Sequence, residues 1–164
     1  MTVHDVQIQR ANIISRRPFA DVLASIELAL GHPDMLMFRR DMVVAQTEAA
    51  LARIVENAIG PSGLMEFVRF NFGDIVRKTT PNSSAKILRI VAGNPLVMKE
   101  MVRFVPDAGS YAPVTILIDE RPDGPHLSYD RVESLLAPYG NPEAQRVARE
   151  LDAKVERMLT AAAE

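Results

Sequence analysis

The stretch VTILIDERPDGPHLSY, residues 114–129, decides the fold of this chain. Its first half, residues 114–121, is the strongest strand pattern in the sequence because aliphatic and β-branched residues dominate it. Residues 122–124, Pro-Asp-Gly, have turn chemistry, and residues 126–129 return as a short second strand. The stretch therefore predicts a β-hairpin, and hence a sheet that contains antiparallel strands.

Three further segments upstream of this hairpin are predicted to be strands, namely residues 6–15, 64–72 and 86–92. Segment 64–72 carries apolar residues on parts of both of its faces, with Leu64, Val68 and Phe70 on one face and Met65 on the other. This pattern is typical of a strand that is central in a sheet or covered on its second side.

Helical spacing of apolar residues predicts the remaining elements, which are helices over residues 18–30, 34–44, 48–59, 95–104, 130–137 and 142–162 and a helical turn over 73–78. Thr47, Asn94 and Asn141 are suitable N-caps, and Pro95 and Pro142 suit the first helical position. Asp130 together with Glu133 predicts a capping box for the short helix.

The order of these elements predicts an α+β fold, with an antiparallel or mixed β-sheet of about four to five strands and helices packed on it. The chain of 164 residues has the length of one domain, so we expect a single α+β domain over residues 1–164. The edges of such a sheet have to be paired or covered, and a homodimer is one way to achieve this.

Composition excludes several classes of function. The formal net charge of −2 argues against nucleic-acid binding, and the absence of cysteine excludes disulfides, thiolate metal sites and cysteine nucleophiles. Three histidines are too few and too scattered for a metal cage, so we expect no metal and no cofactor. Residues 1–10 lack the apolar core of a secretory signal, and no apolar run is long enough to span a bilayer. We therefore expect a cytoplasmic protein that does not bind membranes.

The order and spacing of several short motifs carry a resemblance to a known family. The motifs are the strand ending in Gly93-Asn94-Pro95; Asp107, Gly109 and Pro113 before the strand 114–120; Asp123-Gly124; and Leu135, Pro138 and Asn141 in the helix-rich tail. With these motifs, residues 84–160 resemble the Domain of Unknown Function 302 family, DUF302. The resemblance implies a compact α/β domain, often dimeric, and it implies no activity and no catalytic residues.

Two features depart from the pattern of that family. Residues 34–60 have the character of an extra helical insertion after the first helix. Many members also carry cysteine immediately before the Asn-Pro pair, where this chain has Gly93. A thiol-based role is therefore unsupported here.

The junction at Gly93 and Asn94 is the first candidate binding site. A helix N-terminus offers free N–H groups and a positive dipole end, which suit an anion. Pro95 removes one of these donors, however, and the Asn94 side chain is expected to occupy another, so a structural cap is the favoured interpretation. Ligand binding by Gly93 and Asn94 stays the alternative.

Glu120 and His126 on the hairpin form the second candidate. With the turn between them, the two side chains are expected to lie roughly opposite each other, and a carboxylate beside an imidazole can tune a general base. An exposed cross-strand pair is the more ordinary interpretation. A shift of one residue in the register would place the two side chains on opposite faces of the sheet.

Two further groups have ordinary structural interpretations. Met35, Met37, Phe38 and Met42 are expected to fill a core or a subunit contact, although flexible methionines also suit an adaptable binding surface. His32, just past a helix end, is expected to contact the terminal carbonyls rather than to bind a metal.

We therefore expect a non-enzymatic domain that forms a homodimer, with a small apolar or anionic molecule as its candidate ligand and Gly93, Asn94, Glu120 and His126 as candidate ligand-binding residues. No catalytic residue is assigned. The alternative is an enzyme that uses Glu120 or His126, together with Tyr129, on the hairpin of residues 114–129.

Overall fold

The structure is a computed structural model that describes Met1, Val3 and residues 5–164. Its centre is a five-stranded sheet in the order β1-β5-β4-β3-β2, in which all neighbouring strands are antiparallel. The strands are β1 (Arg10–Ile14), β2 (Met65–Asn71), β3 (Ile87–Gly93), β4 (Val114–Arg121) and β5 (Gly124–Asp130). The predicted α+β class is confirmed, and the hairpin predicted for residues 114–129 forms the β4–β5 pair.

The described residues also form seven α-helices: α1 (Phe19–Ala29), α2 (Met35–Val44), α3 (Glu48–Glu56), α4 (Phe72–Thr79), α5 (Pro95–Val102), α6 (Val132–Leu136) and α7 (Pro142–Ala163). The predicted N-caps Thr47, Asn94 and Asn141 are confirmed, because each side-chain oxygen accepts a backbone N–H of its helix. His32 also behaves as predicted, since its Nε2 lies 2.9 Å from the Glu27 carbonyl oxygen near the end of α1.

The two faces of the sheet differ in burial. On one face, Tyr129, Ile116 and Ile90 form a cross-strand row and are all buried. The long helix α7 packs on this face through a stripe of buried apolar residues, which are Val147, Leu151, Val155, Met158 and Ala162. We call this the helix-covered face, and it holds the main core.

A second, smaller cluster lies at one end of the sheet. Phe38 of α2 and Val55 of α3 pack there against Met65, which begins β2. Met35 and Met42 also pack against this cluster, whereas Met37 is exposed. The predicted core role of the methionine-rich segment is therefore confirmed for all of its members except Met37.

The first strand is shorter than predicted. Residues 6–9 lie outside β1, and Val6 and Ile8 are exposed. The neighbouring strand β5 ends at Asp130, opposite Arg10, and is followed by α6. The Gln9 carbonyl therefore accepts the N–H of Arg131, and the Gln9 N–H donates to the Ser134 hydroxyl, in place of strand pairing.

Strand β2 is an edge strand, so the prediction of a central position is wrong. The alternative prediction was that the second side of this strand is covered. It is correct only for the start of β2, where Met65 and Phe67 belong to the small cluster. An irregularity in the pairing follows between Glu66 and Val68, and beyond it Val68 and Phe70 are exposed.

The predicted capping box of Asp130 and Glu133 is also wrong. The Asp130 carboxylate instead pairs with Arg10, at 2.6 Å. The N–H groups of Val132 and Glu133 donate to Asp152 of α7, at 2.9 and 3.0 Å. The short helix α6 is therefore capped by a residue that is distant in the sequence.

No helix in the described part of the chain combines the length and the apolar character that a transmembrane segment requires.

Candidate functional site

The second face of the sheet carries a broad groove. A row of side chains crosses all five strands on this face: Asn12, Ser128, Leu117, Arg89 and Phe70. Unlike the row on the helix-covered face, these side chains are exposed or half-buried. We call this the open face, and the cavity of about 610 Å³ that it forms with the loop at Ser110 and Tyr111 the open-face groove.

The open-face groove is lined by three arginines, and two of them are paired with aspartates. Arg10 is held by Asp130, with contacts of 2.6 and 2.9 Å, and Arg121 is held by Asp119. Arg89 forms no ion pair with any carboxylate of the described residues. Arg89 is therefore the cation of this groove that lacks a charge partner.

Arg89 is also oriented by its neighbours on the sheet. Its Nη2 donates to the Thr115 hydroxyl oxygen at 3.3 Å, and its guanidinium carbon lies 5.9 Å from the centre of the Phe70 ring. A guanidinium group presents several donors in one plane and matches carboxylate or phosphate oxygens. This position in the groove can thus bind an anion.

Tyr111 lines one rim of the groove, and its hydroxyl is paired with that of Tyr139. The hydroxyls of Tyr111 and Tyr139 lie 3.0 Å apart, and their hydrogen bond raises the pKa of Tyr139 above its ordinary value. The Tyr139 phenol therefore stays protonated near neutral pH, and the Tyr111 hydroxyl brings hydrogen-bonding capacity to this rim.

A smaller apolar pocket adjoins the groove at the end of β3. It has a volume of about 100 Å³, and its lining residues are Phe67, Gly93, Asn94, Pro95, Met98, Ala112, Pro113, Val114 and Leu151. Pro113 and Val114 line both this pocket and the open-face groove. The two cavities are therefore adjacent.

The Asn94 side chain makes two structural hydrogen bonds. Its Oδ1 accepts the N–H of Leu96 at 2.9 Å, and its Nδ2 donates to the Gly63 carbonyl at 3.0 Å. The helix start is therefore satisfied internally, as the structural interpretation predicted. Gly93 and Asn94 contribute wall atoms to the apolar pocket rather than free donors for an anion.

Glu120 and His126 do not lie opposite each other, so that part of the prediction is wrong. The register pairs Glu120 with Pro125 and Asp119 with His126. Because the shift is one residue, the two side chains lie on opposite faces of the hairpin. Glu120 instead bonds Lys86 at 3.1 Å.

The groups of the enzyme alternative do not converge on one cavity. His126 is buried beside Asp123, with 2.9 Å between its Nε2 and the carboxylate, and this contact lowers the pKa of Asp123. The Tyr129 hydroxyl points into the helix-covered core and donates to Asp152. Neither Glu120 nor His126 lines the open-face groove or the apolar pocket.

Sequence reasoning missed Arg89 and Thr115 as site residues. A signal was present, because Arg89 interrupts an apolar strand at a position that alternation places with Ile87 and Val91. That pattern assigns Arg89 to the face opposite Leu88 and Ile90. It could not reveal that helices leave this face open.

Comparison with known proteins identifies the family. The family model described as Domain of unknown function DUF302 matches residues 41–162, and the chain belongs to this family. The match begins within α2 and so includes part of segment 34–60, which the sequence predicted to be an insertion. The search of curated proteins found no match.

A solved structure shares the fold. It is a crystal structure of an uncharacterized conserved DUF302 protein from Bacillus stearothermophilus, which superposes with a TM-score of 0.58 at 10% sequence identity. The superposition covers 94% of each chain. At this identity the likeness describes the fold alone.

Proposed function

We propose that this protein is a non-enzymatic binding domain for a small amphiphilic anion. The observation that carries the proposal is the adjacency of the apolar pocket to the open-face groove, in which Arg89 has no carboxylate partner among the described residues. One cavity suits an alkyl group, and the other suits the anionic group of the same molecule.

The spacing along β4 favours a single ligand that reaches both cavities. Pro113 lines the apolar pocket, and the Thr115 hydroxyl bonded by Arg89 is two residues further on. Two residues of a strand span about 7 Å. A short alkyl chain that ends in a carboxylate or phosphate bridges such a distance.

The volume of the apolar pocket restricts the apolar group. A buried cavity of about 150 Å³ holds a benzene molecule. The pocket of this chain measures about 100 Å³, and its lining is almost entirely apolar. It therefore favours an alkyl chain over an aromatic ring.

The contacts within the groove support binding rather than catalysis. The Ser128 hydroxyl donates to the Asn12 side-chain oxygen at 2.8 Å, so it has no base as its partner. Asp130, the carboxylate that lines the groove, is engaged by two contacts with Arg10. An activated nucleophile requires an adjacent base, and these pairings supply none.

Titration calorimetry with hexanoate tests the proposal. We expect the unmodified protein to bind hexanoate and Arg89→Gln to bind it at least tenfold more weakly, because a charge-assisted hydrogen bond contributes roughly 1.5–3 kcal/mol. Arg39→Gln is the matched control, because Arg39 is exposed on α2 outside the groove. Absence of binding, or equal weakening in both variants, would contradict the proposal.

We also propose that the chain forms a homodimer through the free edge of β2. Among the described residues, the pairing on the outer side of this strand is an isolated bridge from Gly31 to Met65. Val68 and Phe70 lie further along the strand and are 40% and 42% exposed. An unpaired, apolar edge of this kind is a template for pairing with a second strand.

Light scattering after size exclusion tests the dimer. We expect a dimer for the unmodified chain and a monomer for Val68→Lys, because a lysine on an edge strand opposes strand pairing. Val43→Lys is the control, since Val43 is an exposed valine on α2 and not on a strand. A monomer at high concentration of the unmodified chain would contradict the dimer.

A further inference from the structure

We infer that Gly93 determines the length of the alkyl chain that the apolar pocket accepts, which makes Gly93 a specificity-determining residue. The inference rests on the proposed function and adds the class of ligand: short, unbranched alkyl anions. Its basis is the close fit of Gly93 against Pro113 and Phe67, two residues that line the pocket with it, so that any side chain at position 93 would press into the pocket wall.

The backbone does not require glycine at this position. Gly63, Gly124 and Gly140 have positive φ angles, whereas Gly93 is not among the described glycines with this conformation. Gly93 is buried as the last residue of β3. The effect of its missing side chain is therefore on space rather than on backbone conformation.

A side chain at position 93 would enter the apolar pocket between two of its walls. A Cβ placed on Gly93 would lie 3.1 Å from the Pro113 Cβ and 3.5 Å from the Phe67 ring. Both of those residues line the pocket, as does Gly93 itself. Even a methyl group at this position would reduce a volume of only about 100 Å³.

Two helices contribute apolar side chains to the pocket wall. Met98 of α5 and Leu151 of α7 line it, and Leu151 belongs to the main core. An alkyl chain that enters beside Gly93 therefore continues toward the helix layer. Each additional buried methylene strengthens binding, by about tenfold for two methylenes, until the space is filled.

Calorimetry with butanoate, hexanoate and octanoate tests the inference. For the unmodified protein we expect affinity to rise from butanoate to hexanoate. For Gly93→Ala we expect butanoate binding within about threefold of the unmodified value, whereas hexanoate and octanoate lose at least tenfold. Gly109→Ala is the matched control, because its added Cβ would meet its nearest neighbour, Val102, at an ordinary 3.8 Å.

A second variant keeps the test decisive if Gly93→Ala fails to fold, since its Cβ is close to Pro113. Met98→Phe fills the pocket from the α5 side, where Met98 is half-buried. We expect the same selective loss of the longer carboxylates in this variant.

The possible failures are distinguishable. If hexanoate binds and Arg89→Gln weakens it, but chain-length preference is unchanged in Gly93→Ala and Met98→Phe, the role of Gly93 is overturned and the proposed function stands. If the unmodified protein binds none of the three carboxylates, the proposed function fails, and this inference fails with it.

Discussion

Gly93-Asn94-Pro95 and Gly140-Asn141-Pro142 are the same tripeptide, and each begins a helix with an asparagine cap followed by proline, although Asn94 caps the second helical residue and Asn141 the third. The asparagine oxygen accepts the N–H of Leu96 in the first case and of Ala144 in the second, both at 2.9 Å. Proline occupies the first helical position in each. The shared sequence therefore produces a shared local structure.

The two glycines, however, have different reasons to be glycine. Gly140 has a φ of +62°, and no atom lies within 4 Å of the place where its Cβ would be. Gly93 has no such φ, and its Cβ would come within 3.1 Å of Pro113. One glycine satisfies a backbone conformation, and the other allows Pro113 to lie close to the end of β3.

Helix α6 extends the comparison, because it has no local cap. Asp152 on α7 is fully buried and accepts three hydrogen bonds, from Tyr129, Val132 and Glu133. A cap of this kind depends on the tertiary structure, whereas the asparagine caps depend on neighbours in the sequence.

The largest effect is expected for Asp152→Ala. The change leaves the N–H groups of Val132 and Glu133 and the Tyr129 hydroxyl without a partner, and each such loss costs about 1–3 kcal/mol. We expect a destabilisation of about 3–5 kcal/mol in urea unfolding. Asn141→Ala, which removes a local cap, should cost about 1 kcal/mol. Equal losses of unfolding free energy in the two variants would mean that the distant cap stabilises the protein no more than a local cap does.

The two asparagine caps are expected to differ as well. Asn94 donates to the Gly63 carbonyl in addition to its capping bond, which Asn141 is not seen to do. Asn94→Ala should therefore cost about 2 kcal/mol, against about 1 kcal/mol for Asn141→Ala. Thermal melts of the two variants measured side by side provide the check. An unchanged melt for Asn94→Ala would show that Asn94 is not a cap.

The distant cap should also be sensitive to alkaline pH. Burial raises the pKa of Tyr129 well above its ordinary value, and the Asp152 charge adds to this effect. The unfolded chain then releases the phenol proton above about pH 10, while the folded chain retains it, so stability is present below pH 10 and falls as the pH rises. The loss is about 1.4 kcal/mol per pH unit.

Tyr129→Phe isolates this contribution. We expect its stability curve, measured by urea unfolding from pH 8 to pH 11, to lack the decline due to Tyr129. Parallel curves for the variant and the unmodified protein would contradict a raised pKa at this tyrosine.

The smallest effect is expected at Gly140. Gly140→Ala places a Cβ on a left-handed backbone, which costs about 1 kcal/mol, and the surrounding space is empty. Hexanoate binding should stay unchanged in this variant, because Gly140 lines neither cavity of the site. A loss of hexanoate binding in Gly140→Ala would show that the effect on binding is not specific to Gly93.

Several elements could be read from local patterns. The strand 114–121, the α7 stripe from Val147 to Ala162 and the asparagine caps were all predicted, because each depends on residues a few positions apart. The family could also be recognised from short motifs in the second half of the chain.

The errors concern relations between distant segments. A shift of one residue separates Glu120 from His126, and the turn sequence alone did not determine this register. The apolar residues of β2 predicted a central strand, whereas β2 lies at the edge of the sheet. Cover by α2 and α3 is limited to the start of β2, and this depends on segments distant in the sequence.

The sequence by itself determined the fold class, the positions of most helices and strands, and the two Asn-Pro helix starts, because these depend on short-range periodicity and hydrogen bonding. Only the tertiary structure decided which face of the sheet stays open, that Asp152 caps α6, and that Arg89 lies near a pocket bounded by Gly93. These features join segments far apart in the chain, and their positions follow from how the helices pack on the sheet.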